Sequence, residues 1–416
     1  MQPMMWNVHY LSSLKSLLLI QKGANVVVYC KGLLSQVNVH YLVKAVLLTT
    51  LLVLAWYLWK VVVQRGINTV IPVVDRRGRI NMERVRLVHG NGGRFSHELT
   101  ERFILKYFTN DLLAPLHDGA QFPVTAGRMA FSTDSYVVQP TFFPGGNIGK
   151  LAVCGTVNDL AMNGAIPQYL SCGLILEEGL AFDELDEILH TMSDMAKAAN
   201  VQIVTGDTKV VKKGEVDKIY INTAGIGMIP EGIDIGPHRV KAGMDIILSG
   251  AIGDHSIAVM GQRFGLDLSD ALKTDCAPLN NMVHAVLDKV GPQVALLRDP
   301  TRGGLGTVLK EIADQSQVGI KVEEAAIPIH AEVQSVCDIL GYDPLYLANE
   351  GKVVLVVDPS VTDEVLSILH SFEEGKESVL IGKTLDKNIG KVGLQTAIGG
   401  VRLIDLLGED QVPRIC

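Results

Sequence analysis

The two halves of the sequence share a loose pattern in which a short apolar strand leads into a turn built on Gly and Asp, with helices along the rest of each half. In the first half the predicted strand 202–205 runs into Gly206-Asp207. In the second half the predicted strand 245–249 runs into Gly253-Asp254. Strands that alternate with helices favour an α/β (α+β) fold, so we predict two related α/β halves.

A Gly- and Pro-rich segment, 232–243, separates these halves and marks a domain boundary. We place a leader at 1–80, a first domain at 82–236, a second at 243–405 and a mobile tail at 406–416. Apolar periodicity predicts the elements within the domains. The predicted strands are 129–138, 166–176, 202–205, 218–228, 245–249, 320–323 and 352–358; the predicted helices are 96–108, 147–164, 183–199, 255–264, 280–290, 305–315, 332–340 and 363–372.

The leader differs from the rest of the chain because it has no acidic residue before Asp75. Segment 45–63 is almost wholly apolar and as a helix would span about 28 Å, close to a bilayer core. More basic residues follow it than precede it, which would leave the C-terminal part in the cytoplasm, anchored through 45–63. The alternative is upstream sequence translated from a misplaced start, with Met82 as the true beginning. In either case we exclude 1–80 from the argument about catalysis.

Net charge and the spacing of the cysteines limit which partners the chain can bind and in which cellular compartment it works. The chain carries 37 Lys and Arg against 45 Asp and Glu, a net charge of −8, and only 6% aromatic residues, which argues against nucleic acid as a partner. None of its six cysteines forms a C-x-x-C pair, so the sequence favours a reducing cytoplasm over a disulfide framework or a structural zinc. Cys154 and Cys172 lie in apolar surroundings and are predicted to be core residues.

The chain ends on Pro413-Arg414-Ile415-Cys416. A thiol at the end of a mobile arm could carry a group from one site to another, with the thiolate as nucleophile. The alternative is a surface cysteine with no role.

Five aspartates are candidate ligands for a nucleotide. Asp134, Asp159, Asp207 and Asp254 each lie near the end of a predicted element beside small residues, and Asp118 is a further candidate. One such residue is more often a cap or a turn residue, but several together are what Mg²⁺ needs when it bridges nucleotide phosphates. The chain has neither a P-loop nor a Rossmann glycine motif, so ATP would bind in another way.

Two loops and two single residues complete the candidates. Segment 298–304 (RDPTRGG) precedes a predicted helix and could bind an anion through backbone N–H groups and two guanidinium groups, or be a capped helix start. The glycine-rich segment 89–94 (HGNGGR) allows the same two interpretations, an anion-binding loop or a loop with only a structural role. Glu350, between Asn and Gly, could be a general base, and Lys209 could contact phosphate or accept a proton.

Taken together, these motifs resemble the HypE family of hydrogenase maturation factors, carbamoyl dehydratases of the PurM-like ATP-binding superfamily. The resemblance covers 82–416, about four-fifths of the chain, and leaves the leader outside. Where this chain has His117-Asp118-Gly119-Ala120, the family usually has two acidic residues and alanines. The matching segments are HGNGGR, STDSYVVQPTFFPGGNIGKLAVCGTVNDLAMNGA, IVTGDTKVV, GAIGDHSIA, DCAPLN, RDPTRGGLGTVLKEIA, PLYLANEGK and the final PRIC.

The resemblance implies a fold and a reaction. The fold is PurM/AIR synthetase-like, with a β-rich N-terminal domain that forms a homodimer, an α/β C-terminal domain and a mobile tail. The carbamoyltransferase HypF places a carbamoyl group on Cys416, ATP phosphorylates the thiocarbamate oxygen, and loss of phosphate leaves a thiocyanate. The cyano group then passes to iron held by a HypC–HypD complex, for [NiFe] hydrogenase.

The resemblance also implies residue roles. Glu350 and Lys209 help to remove protons from the thiocarbamate nitrogen of Cys416. The implied Mg-ATP ligands are Asp118, Asp134, Asp159, Asp207 and Asp254, with Mg²⁺ on Asp134, Asp159 and Asp254. Two alternatives stay open: another ATP-dependent synthetase of the superfamily, or a carrier or membrane-tethered scaffold that only presents Cys416.

Overall fold

The computed structural model describes residues 17–22, 25–30, 73–74, 80–81, 84–91, 93–116, 119–123, 126–265 and 272–407. Contacts divide the chain into two compact units, 1–81 and 82–416. In the first unit two antiparallel pairs are described: β1 (Leu17–Lys22) with β2 (Asn25–Cys30), and β3 (Val73–Val74) with β4 (Ile80–Asn81). The apolar segment 45–63 lies outside the described residues. Within the described part of the chain, no helix is long and apolar enough to cross a membrane.

The first domain of the second unit is a four-stranded sheet covered on one face by helices. Its sheet order is β5-β10-β8-β9, with only β8 and β9 parallel. Its elements are α1 (Arg94–Leu99), a π-helical turn (Thr100–Ile104), α2 (Leu105–Phe108), β5 (Arg128–Tyr136), β6 (Phe142–Phe143), β7 (Gly146–Asn147), α3 (Ile148–Met162), β8 (Ile166–Glu177), α4 (Phe182–Ala198), β9 (Gln202–Val211) and β10 (Ile219–Ile229). The face opposite α3 carries exposed Phe131 and Ile175; we call it the open face.

Helix α3 is the central element of this domain, and small residues let it pack closely. Asn147 caps its start, because the Asn147 side chain accepts hydrogen bonds from the backbone N–H groups of Gly149 and Lys150 at 2.9 and 3.2 Å. A Cβ on Gly155 would lie 2.2 Å from the Tyr136 hydroxyl oxygen, and one on Gly149 would lie 2.5 Å from the backbone oxygen of Ile188. Bulkier residues at these two positions would force α3 away from the sheet and from α4.

The second domain is a seven-stranded sheet between helices. Its order is β12-β14-β11-β15-β13-β16-β17, with only β13 and β16 parallel. Its elements are β11 (Asp245–Leu248), α5 (Asp254–Phe264), α6 (Asn280–Val290), β12 (Val294–Arg298), α7 (Gly304–Gln315), β13 (Gly319–Glu323), α8 (Ala331–Leu340), β14 (Val354–Val357), α9 (Thr362–Leu369), β15 (Val379–Leu385), β16 (Val392–Gln395) and β17 (Val401–Ile404). Helix α7 packs in one apolar cluster with the sheet, and α6 and α9 pack in another.

The predicted two-part α/β architecture is confirmed, and most helices and strands begin and end within a few residues of their predicted limits. Cys154 and Cys172 are buried and unbonded, as predicted. The prediction that a strand ends at residue 205 is wrong. Strand β9 continues to Val211 because its parallel pairing with β8 extends to that residue, so Asp207 lies inside a strand. Asp134 lies two residues before the end of β5, as predicted.

Candidate active site

The two domains of the second unit meet at Asn158 of α3. Its side-chain amide nitrogen donates to the backbone oxygens of Ala277, at 3.0 Å, and Glu350, at 3.2 Å. Its side-chain oxygen accepts from the backbone N–H of Leu279 at 2.8 Å. Asn158 is buried, so these hydrogen bonds fix the central helix of the first domain to two loops of the second.

The loop that carries Glu350 is held on both sides by buried polar groups. The Asp275 carboxylate accepts from the backbone N–H groups of Glu350, at 3.1 Å, and Gly351, at 3.3 Å. Asn349 donates to the backbone oxygen of Pro300 at 3.0 Å and accepts from the backbone N–H of Gly253 at 2.7 Å. Four loops of the second domain therefore converge on one point, which faces α3.

Glu350 is a buried carboxyl at this junction. Its side chain is only 4% exposed. Burial raises the pKa of Glu350 well above its ordinary value, and the nearby negative charges of Asp275, Asp299 and Asp134 raise this pKa further. A group poised in this way can accept a proton from a substrate once its own proton has left, which is the property of a general base.

Two aspartates, Asp159 of the first domain and Asp299 of the second, line a cleft where the two domains meet. Asp159 accepts a hydrogen bond from the Ser132 hydroxyl at 2.6 Å. Burial raises the pKa of Asp159, Ser132 opposes that shift, and the charge of Asp134 adds to it. The cleft has a volume of about 480 Å³, and Ser132, Asp159 and Asp299 line it together with two arginines. Acidic groups of this kind can share a cation with a phosphate chain.

The predicted anion-binding segment forms one wall of the same cleft. Arg298 and Arg302 both line the cleft, directly before α7. Gly303, at the start of α7, has a φ of 74°, a left-handed conformation that favours glycine. Arg298 is also paired with Glu311 at 2.5 Å, so Arg302 has the less restrained guanidinium group for an anion.

Asp254 lies at the first residue of α5, beside the loops that hold Glu350. It forms an ion pair with His330, whose Nδ1 is 2.9 Å from the Asp254 carboxylate. Burial raises the pKa of Asp254, the contact with His330 opposes this, and the charge of Asp275 reinforces it. Asp254 and Glu350 thus share Asp275 as an electrostatic neighbour.

Asp207 and Lys209 lie elsewhere, on the open face of the first-domain sheet. The Lys209 ammonium is 2.7 Å from the Asp207 carboxylate, and both side chains are largely exposed. Strand β9 is three strands away from β5, a distance of about 14 Å. Lys209 is not among the charges that act on Glu350. A single chain therefore brings Asp134, Asp159 and Glu350 together, but not Asp207 and Lys209 with them.

Two predicted site residues, Asp118 and Cys416, lie outside the described residues. Sequence reasoning missed three others that shape the site: Asn158, Asp275 and Asp299. All three lie inside segments that carry the family resemblance, but their roles depend on contacts between distant loops. Among the described residues, no group of three or more His, Cys, Asp or Glu side chains is arranged to hold a metal ion.

Asp299 gives a prediction about stability and pH. Burial, followed by the charge of Asp159, raises the pKa of Asp299 to about 7. The folded protein therefore binds this proton more tightly than the unfolded chain does, so stability falls as pH rises from about 4 towards 7. For Asp299→Asn we expect a higher Tm than wild type at about pH 8, and a much smaller difference at about pH 5.

Thermal unfolding at the two pH values checks this, with the exposed Asp111→Asn as the control. A Tm difference that is the same at both pH values would show that Asp299 does not titrate in this range.

Comparison with known proteins identifies the family. Residues 117–229 match the N-terminal domain of AIR synthase related proteins, and 241–395 match the C-terminal domain. The chain is 45% identical over 349 residues to the carbamoyl dehydratase HypE of Rhizobium leguminosarum bv. viciae, which covers 84% of this chain and 100% of that protein. The chain belongs to the HypE family.

Solved HypE structures share its fold. A crystal structure of the hydrogenase maturation protein HypE in complex with ATP has a TM-score of 0.77 and 45% identity, covering 80% of this chain and 99% of that one. HypE in a crystal structure of a HypE–HypF complex has a TM-score of 0.65 and 43% identity, covering 74% and 99%. The predicted PurM/AIR synthetase-like fold is thus confirmed, and this HypE-family chain is a hydrogenase maturation protein.

Proposed function

We propose that this chain uses ATP to dehydrate a carbamoyl group on its own Cys416 to a thiocyanate. The observation that carries the proposal is the buried Glu350 carboxyl, held by Asp275 and Asn158 where the two domains meet. Membership of the HypE family supports it, since curated relatives are named carbamoyl dehydratases and one family structure contains ATP.

The chemistry balances in two steps. The thiocarbamate oxygen attacks the terminal phosphorus of ATP, a proton leaves the nitrogen, and ADP departs. A second proton then leaves the nitrogen while the C–O bond breaks, which gives S–C≡N and inorganic phosphate. The carbamoyl oxygen ends in the phosphate, and no oxidant or reductant is needed. Glu350 is our candidate for the base that takes a proton from nitrogen; its burial at the domain junction and its raised pKa support this role.

Asp134, Asp159 and Asp254 are proposed to hold Mg-ATP, with Asp118 as a further candidate. Carboxylate oxygens suit Mg²⁺, a hard cation, but the described residues include no group of three such side chains arranged for a metal ion, so phosphate and water oxygens would supply the remaining ligands. When bound, Mg²⁺ would neutralise phosphate charge. The charge of Asp134 raises the pKa of Asp159, so these two carboxylates lie near each other, and Arg302, which lines the cleft, would bind a phosphate oxygen.

Asp207 and Lys209 fit this site only if a second copy supplies them. We propose a homodimer joined through the open face, where Phe131 is 71% exposed. In such a dimer the nucleotide-binding Asp207 and the catalytic Lys209 of one copy would approach the cleft of the other. This arrangement gives Lys209 a route to the thiocarbamate that a single chain does not provide.

We further propose a HypF-type carbamoyltransferase as the source of the carbamoyl group and a HypC–HypD complex as the acceptor of cyanide. A family member has been crystallised with HypF, which supports the first partner. The acceptor follows from the chemistry of a thiocyanate, whose cyano carbon can be transferred to a metal centre.

The test is the mass of the C-terminal peptide after incubation with Mg-ATP and the carbamoyltransferase. The proposal expects a carbamoyl adduct on Cys416 that loses one water only when ATP is present. ATP hydrolysis with an unmodified Cys416 would instead indicate another synthetase of the superfamily. A carbamoyl adduct that never loses water would indicate a carrier.

A further inference from the structure

The two edge strands of the seven-stranded sheet differ in how far other segments cover them. Edge strand β12 is buried and is covered by the preceding segment, where the backbone N–H of Gly236 donates to the backbone oxygen of Ala295 at 2.9 Å. The other edge, β17, pairs only with β16 within the described part of the chain. An uncovered edge is a template for another strand, and proteins usually protect it with charges or with a covering segment.

Strand β17 carries apolar side chains on its exposed face. Val401 and Leu403 are 63% and 66% exposed, and Ile398, at the tip of the β16–β17 hairpin, is 96% exposed. The backbone N–H of Thr396 donates to the backbone oxygen of Gly400 at 2.8 Å, which fixes the hydrogen-bond alternation of this hairpin. In an antiparallel pair, every second residue bonds to the partner strand. Since Gly400 does so, Val401 and Leu403 direct their backbone N–H and C=O groups away from β16.

A cavity adjoins the other face of the same edge. It has a volume of about 520 Å³ and is lined by apolar side chains that include Ile327, Leu345 and Leu394. Arg402, which pairs with Leu394 across the strands, also lines it and forms an ion pair with Asp343. A strand added to β17 would place alternate side chains over Val401 and Leu403 and towards this cavity. Main-chain pairing combined with side-chain pockets is a known mode of peptide recognition.

The position of the tail indicates which partner uses this edge. Only nine residues separate Leu407 from the end of the chain at Cys416, and they can reach about 30 Å at most. A protein that modifies Cys416 outside the domain must therefore place its own active site near β17. Pairing of the tail itself with this edge is the competing possibility, and in that case the binding test below would show no loss of affinity for the partner.

From these observations we infer that β17 is a docking strand for the carbamoyltransferase that modifies Cys416. The transferase would pair an extended segment of its own chain with this sheet edge. This inference rests on the proposed function, since it assumes that Cys416 is the group that the partner modifies. It assigns a role to the edge strand, to the apolar pair Val401 and Leu403, and to the adjoining cavity, none of which takes part in the ATP-dependent step.

The test compares two exposed apolar positions of the same domain. The double variant Val401→Lys/Leu403→Lys places charges on the edge, and Ile339→Lys places one on α8, where Ile339 is 82% exposed. We expect the edge variant to raise the Kd for a purified HypF-family carbamoyltransferase about tenfold or more, and the control to change it less than about twofold. If the double variant does not fold, as judged by thermal unfolding, Leu403→Glu replaces it.

A second measurement separates this inference from the proposed function. Cyanate carbamoylates a thiol directly, because the sulfur adds to isocyanic acid and nothing leaves, so Cys416 can be loaded without the partner. The loaded edge variant should then lose water with ATP at the wild-type rate. Failure of the loaded wild type to lose water would count against the proposed function. Equal Kd values for the edge variant and the control, or a change in oligomeric state alone, would overturn the docking role.

Discussion

Glu350→Gln is expected to reduce the rate of dehydration of carbamoylated Cys416 by about a thousandfold. General-base catalysis contributes about 10²- to 10⁴-fold, and a glutamine amide cannot accept the proton. The change should be structurally mild, because glutamine has nearly the shape of glutamate and burial disfavours the charged form of Glu350, whose pKa is raised. Carbamoylation by the partner and ATP binding should both be retained.

The measurement is the single-turnover rate of water loss from the loaded tail, followed by mass. Glu364→Gln, an exposed position on α9, is the matched control and should behave as wild type. The wild-type rate should rise with pH, and the midpoint of that rise should lie above the range of an ordinary glutamate, because the base acts only when ionised. A Glu350→Gln variant with more than about a tenth of the wild-type rate would exclude Glu350 as the base.

Asn158→Ala is expected to lower the free energy of unfolding by about 3 kcal/mol. The substitution removes three hydrogen bonds and leaves two backbone oxygens and one backbone N–H unsatisfied at a buried site. Because one of those oxygens belongs to Glu350, we also expect a loss of dehydration rate. The expected defect therefore combines stability with catalysis.

Asn163→Ala is the matched control, since Asn163 lies next to the same helix, is exposed, and makes one side-chain hydrogen bond, to the backbone oxygen of Asp159. It should cost less than about 1 kcal/mol. Denaturant unfolding of the two variants gives the comparison. Equal losses would show that the bridge from α3 to the Glu350 loop does not hold the two domains together.

Local sequence patterns predicted the limits of helices and strands well where no pairing with a distant strand overrode them. Helix α3, predicted at 147–164, lies within two residues of those limits. Glycine beside aspartate usually forms a turn, so the local sequence predicts a turn at Gly206-Asp207. Both residues lie in β9 because the parallel ladder with β8 continues through them, and that pairing depends on a partner strand distant in sequence.

The candidate site was predictable only in part, because some of its residues have local sequence signals and others depend on contacts between distant loops. Glu350 could be proposed from its place between Asn and Gly at the start of a predicted strand. Its burial raises its pKa, and further increases come from the charges of Asp275 and Asp299, on separate loops of the second domain, and of Asp134 in the first domain. No local pattern reports which loops converge, so Asp275 and Asp299 emerge only from the fold.

The most direct test of the central claim follows the carbamoyl oxygen. Cys416 is loaded with carbamoyl that carries oxygen-18, Mg-ATP is added, and mass spectrometry measures the C-terminal peptide and the released phosphate. If ATP phosphorylates the carbamoyl oxygen, the peptide loses the label together with one water, and each phosphate released carries one oxygen-18 atom. Label retained on the peptide while ATP is hydrolysed, or lost into water instead of phosphate, would contradict that claim.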